Sequence, residues 1–155
     1  GAPVTFTATA VDAEDGPVNV VASPASGSVF PIATTPVGLA AADAAHNTAT
    51  ASFSVTVRDT TPPALTVPAD TAAEATSSAG AVVSYPSATA TDAVGVASIG
   101  YSQGSGTAFA LGNTTVNGTA TDNYHNATTK SFKVSVFWNT VGFSRRESAT
   151  SAMAL

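Results

Sequence analysis

Apolar and polar residues alternate strictly over positions 129–137, where Phe132, Val134 and Val136 are interleaved with Lys133 and Ser135. A period of two puts one set of side chains on one face of an extended chain, so this stretch predicts a strand with a buried face. The same alternation occurs at 51–57, with Phe53, Val55 and Val57 directed inward. Shorter runs of this kind at 4–10, 18–22, 37–42, 64–67, 81–92, 95–101, 107–111 and 114–121 predict further strands. Between them lie turn residues, among them Gly27, Pro31, Pro68 and the Gln103-Gly-Ser-Gly106 tetrapeptide, and residues 70–80 form a polar connection. Pro86 suggests an edge or a bulge within 81–92. No segment has helical periodicity. The Ala-rich run 39–45 is the nearest to one, but its equivalent at 118–124 contains Thr-Ala-Thr and must share its conformation.

That equivalence is part of an internal repeat. Asp43, His46, Asn47, Phe53, Val55 and Val57 recur as Asp122, His125, Asn126, Phe132, Val134 and Val136, each pair 79 apart (125 − 46 = 79). The interval exceeds solenoid periods and suits a small complete domain, so the chain reads as two modules in tandem. A one-residue insertion at Pro86 aligns Asp12 with Asp92. Residues 1–59 form the first module, incomplete at its N-terminus because nothing in it matches 62–67. Residues 60–138 form the second, which opens within an extended Asp59–Pro63 joint, and 139–155 form a tail. Short strands at close spacing predict an all-β fold of two antiparallel sandwiches.

Composition supports strands and narrows the chemistry. Charged residues are only 10%, and Thr, Ser and Ala cover the surface in their place. With five Lys and Arg against ten Asp and Glu, there is no basic patch for nucleic acid. Cysteine is absent, which removes disulfides, zinc-thiolate sites and thiol nucleophiles. No apolar run reaches the length of a membrane span. The first residue is Gly1, which reads as a processed or excised piece of something longer.

The residues also carry a resemblance. Asp59-Thr-Thr-Pro-Pro-Ala-Leu-Thr-Val-Pro68, then Ala90-Thr-Asp92, Phe109, Thr115-Val116, and Ala120-Thr-Asp122 with His125-Asn126 follow in the order found in hyalin repeats. The chain resembles tandem HYR modules over residues 1–137. The resemblance implies two immunoglobulin-like sandwiches, the first lacking its N-terminal strand, in a secreted or cell-surface protein with a non-catalytic role in adhesion, spacing or fibres. HYR modules usually have Gly before that Asn, where His46 and His125 stand here; Gly there implies a positive backbone angle, which His and Asn tolerate better than most residues.

Each candidate site has a plainer reading. Asp43, His46, Asn47 and Asp122, His125, Asn126 are read as turns, the Asp accepting backbone N–H groups and the Asn taking a left-handed conformation. Metal binding by the histidines would need more converging ligands. Asp12, Glu14 and Asp15 are weak candidates for calcium, since copy 2 keeps only Asp92 there. Lys130 and Lys133 could enter intramolecular cross-links, but copy 1 has Ala51 and Ser54 in their places, and a charged edge is the simpler reading. Asn113, Asn117 and Asn126 fit the N-x-S/T glycosylation rule. No nucleophile and base constellation is present and no cofactor is expected. Tyr101, Tyr124 and Trp138 are the aromatics available to an adhesive or carbohydrate-binding module. The tail, with Trp138, Val141 and Phe143, is of strand length and could complete the first module of a neighbouring subunit, making self-association the expected partnership and head-to-tail growth its outcome.

Overall fold

Thr and Val, stiff at χ1, dominate the long alternating segments, and these become the central strands. The computed structural model describes residues 1–138, among which there is no helix. The chain divides into two compact units after Asp59. The first contains β1 (Ala2–Pro3), β2 (Ala10–Asp12), β3 (Gly16–Val18), β4 (Val20–Ser23), β5 (Val29–Phe30), β6 (Thr34–Ala42) and β7 (Thr48–Thr56). Its sheets are β4-β6-β7, β1-β5 and β2-β3, all antiparallel.

The second unit contains β8 (Ala64–Thr66), β9 (Thr71–Glu74), β10 (Ala81–Val83), β11 (Thr89–Thr91), β12 (Val96–Tyr101), β13 (Thr107–Phe109), β14 (Gly112–Asp122) and β15 (Ala127–Phe137). Its sheets are β12-β14-β15-β9, β10-β13 and β11-β8. Phe132, Val134 and Val136 of β15 pack with Val116, Phe109, Val83 and Tyr85, the Tyr85 and Phe132 rings meeting edge to face at 4.8 Å. A second cluster holds Leu65 against Ala88 and Ala120, with Val67, Ala90, Ile99 and Tyr101 around it.

The repeat persists at the level of single bonds. Ser105 Oγ accepts from Tyr85 N at 2.8 Å and donates to Tyr85 O at 2.9 Å; 79 residues earlier, Ser26 Oγ accepts from Phe6 N at 2.9 Å and donates to Phe6 O at 2.7 Å. Phe6 packs edge to face on Phe53, as Tyr85 does on Phe132. Gly27 and Gly106 occupy matching positive-φ turns, at 87° and 78°.

Four strand expectations need correction. Residues 18–22 fall on two strands, Val18 ending β3 opposite Ala10 and Val20 opening β4 opposite Ala41. Residues 4–10 are not one strand: Val4 still bonds to Ser28 and Gly27 beyond β1, Ala10 begins β2, and between them Phe6 is held by Ser26, a side-chain bond that alternation cannot foretell. Residues 81–92 break into β10 and β11, with Ser105 taking the backbone groups of Tyr85 beside Pro86. The connection 70–80 contains β9, which pairs in parallel with β15, so the four-stranded sheet is mixed. Asp70 fixes that junction by accepting Lys133 N at 2.7 Å.

Strands β8 and β9 have no counterpart among the strands of the first unit, since their equivalents by the repeat fall before Gly1. The consequence is visible in burial. Phe132, Val134 and Val136 are buried, while Phe53, Val55 and Val57 are only partly so, and the first unit's buried hydrophobics are Phe30 and Val37.

Candidate functional site

The side chains singled out by the sequence lie at the ends of the long hairpins. Between β14 and β15, Asp122 Oδ1 accepts Tyr124 N and Asn126 N, both at 2.8 Å, and its Oδ2 accepts Asn126 Nδ2 at 2.7 Å. Asp122 is fully buried, so these donors replace the water its carboxylate gives up. Between β6 and β7, Asp43 Oδ1 accepts Asn47 N and Oδ2 accepts Asn47 Nδ2, each at 2.7 Å. The positive φ falls on His46 and His125, at 66° and 70°, rather than on the Asn residues. The Asn side chain is tied to Asp, and the preceding residue must therefore reverse the chain.

A second pair of turns follows β2 and β11. Asp12 Oδ1 accepts Glu14 N at 2.8 Å and Asp15 N at 2.9 Å, and Asp92 Oδ1 accepts Val94 N at 2.8 Å. The amides of Asp15 and Glu14 hold the Asp12 carboxyl below its ordinary value. Asp15 Oδ2 reaches Ala44 N at 2.9 Å, which ties this loop to the β6–β7 turn. Asp12 and Asp15 thus serve as acceptors for backbone N–H groups.

Asn113 and Asn117 are exposed on β14, and Asn113 Oδ1 accepts Ser135 Oγ at 2.7 Å. Asn126 is half-buried with its Nδ2 engaged by Asp122, so a sugar on that atom would break the turn. Lys130 and Lys133 are exposed on β15. Tyr124 and Trp138 are 44% and 51% exposed, whereas Tyr101 is half-buried and its hydroxyl accepts Ala88 N at 2.5 Å. Val141 and Phe143 lie outside the described residues.

The HYR domain family matches residues 1–57 and again residues 58–136. The chain belongs to the HYR family. No curated protein sequence matches it. HYR is a non-enzymatic repeat family whose modules are typically extracellular and of an adhesion type.

Asp92 and Asp122 each close an Ala-Thr-Asp motif, Ala90-Thr-Asp92 and Ala120-Thr-Asp122, used twice within the second module, and the Asp122 carboxylate receives three N–H donors of its own turn.

Proposed function

We propose that this chain is a non-catalytic structural segment of a secreted or cell-surface protein, a unit of a fibre or stalk that associates head to tail with like subunits by strand complementation. The observation that supports this reading is two HYR modules in direct succession. Asp12, Asp43, Asp92 and Asp122 are spent on turns, which supports a scaffold rather than a reacting centre. Exposed Thr and Ser rows on β14 and β15, with Asn113 and Asn117 among them, suit a glycan coat on a surface poor in charge. Residues 139–155 supply the complementing strand in this reading.

Negative-stain electron microscopy of the purified chain tests it. Filaments of regular axial repeat are expected, and deletion of residues 139–155 abolishes them; dispersed monomers under all conditions would refute the assembly. A second reading, an adhesive or carbohydrate-binding module, is favoured by the exposure of two consecutive aromatics at the end of β15, Phe137 (50%) and Trp138 (51%). It predicts glycan-array binding that Trp138→Ala eliminates.

A further inference from the structure

The register of the four-stranded sheet sets an exposed aromatic beside an Asn-x-Thr triplet. Asn113 of β14 stands opposite Ser135 of β15, and Phe137 lies two residues further along β15, so the pleat sends all three to one face. Phe137 is in turn opposite Glu74 of β9. The face is the outward one, with Asn113, Thr115, Asn117, Lys133 and Glu74 exposed on it. Among the described residues of this face Phe137 is the one large apolar side chain, and half of it is open to water.

The three triplets differ in their surroundings. Asn126 has its Nδ2 on Asp122 Oδ2. Asn117 stands opposite Ser131, with Thr129 and Lys133 as its diagonal neighbours on β15. Asn113 has Phe137 as a diagonal neighbour, and such positions lie about 7–8 Å apart, within reach of a large group. Ser135 Oγ donates to Asn113 Oδ1 at 2.7 Å, which holds the amide by its oxygen and leaves Nδ2 for substitution.

We infer that Asn113 carries an N-linked glycan whose first sugar lies on the Phe137 ring, with the Glu74 carboxylate beside it as an acceptor for sugar hydroxyls. The donor is a lipid-linked oligosaccharide pyrophosphate. Asn113 Nδ2 bonds to C1 of the first sugar, the C1–O bond to the pyrophosphate breaks, the lipid pyrophosphate leaves, and one Nδ2 proton passes to solvent. A sugar ring has an apolar C–H face and a rim of hydroxyls, so it takes the Phe137 ring out of water while its own polar groups stay hydrated. Because the sugar is tethered next to the ring, the contact forms at high effective concentration. The inference rests on the glycan-coat reading and adds to it one site and one contact.

The full chain is secreted from a eukaryotic host and its glycopeptides are read by mass spectrometry. Sugar is expected at Asn113 and is lost in Thr115→Ala. With glycans trimmed to the first sugar, NMR is expected to show NOEs between that sugar and the Phe137 ring, a readout that needs no variant. The trimmed chain melts about 4 °C above Thr115→Ala in the transition of the second module, and in a Phe137→Ala background most of that gap closes. Sugar at Asn117 with none at Asn113 would overturn the inference and leave the coat standing. Sugar at Asn113 without NOEs to Phe137, or with the gap unchanged by Phe137→Ala, also sinks the inference alone. No sugar at either Asn sinks the coat together with it.

Discussion

Asp122 and Asp43 hold the same turn with the same Asn contacts, but only Asp122 is cut off from water. Asp122→Ala strands buried donors and is expected to cost about 3 kcal/mol, whereas Asp43→Ala exposes its donors to solvent and costs about 1 kcal/mol; urea denaturation of the two variants measures the difference. Tyr85 shows how one hydroxyl separates otherwise equivalent positions. Its OH donates to Gln103 O, a bond that Phe6 cannot make. Burial, with a smaller contribution from Tyr101, raises the Tyr85 hydroxyl above its ordinary 10.0. The unfolded chain then loses this proton first. Tyr85 therefore adds no pH dependence below pH 10 and stability declines as pH rises beyond it. Tyr85→Phe is expected to flatten that decline in denaturation curves taken between pH 8 and 11, at a cost of about 1 kcal/mol at neutral pH from the lost bond.

At the scale of strands, the contrast lies between β15 and β7. β15 is bonded to β14 on one edge and β9 on the other, while β7 is bonded to β6 alone among the described residues. Outward amides of β7 are expected to exchange with deuterium on the order of a hundredfold faster than their counterparts in β15, as an edge without a ladder requires; residue-resolved exchange by NMR checks this. The two long strands themselves were legible in the sequence because each turns one apolar face inward, buried in β15 and partly buried in β7, and alternation reports such a face directly. β9 was not legible. Thr71-Ala-Ala-Glu74 has no large apolar residue, and its place in the sheet is set by backbone pairing with β15 and by the Asp70 contact to Lys133 N, neither of which leaves a mark in hydropathy. The turn sites were legible in part: the Asp and Asn residues repeated at Asp43, Asn47, Asp122 and Asn126 announce the turns, but that Asp122 is buried and Asp43 is not depends on packing that the motif does not record.

For the molecule as a whole, the two modules carry very unequal cores. Among the described residues fourteen hydrophobic ones are buried, and only Phe30 and Val37 of them belong to the first module. Calorimetry is therefore expected to record two transitions, the first module melting at the lower temperature. Phe30→Ala lowers only the first transition, and Phe132→Ala, costing about 3–5 kcal/mol, lowers only the second. The parallel contact of β9 with β15 has a further consequence once tension is considered. Force arriving at Thr71 from the N-terminal side and leaving through Phe137 pulls two parallel neighbours in opposite directions along their length. The four positions from Thr71 opposite Val134 to Glu74 opposite Phe137 are then loaded in shear and must yield together, rather than unzipping one after another. The second module is therefore the one whose described strands are expected to resist stretch as a unit.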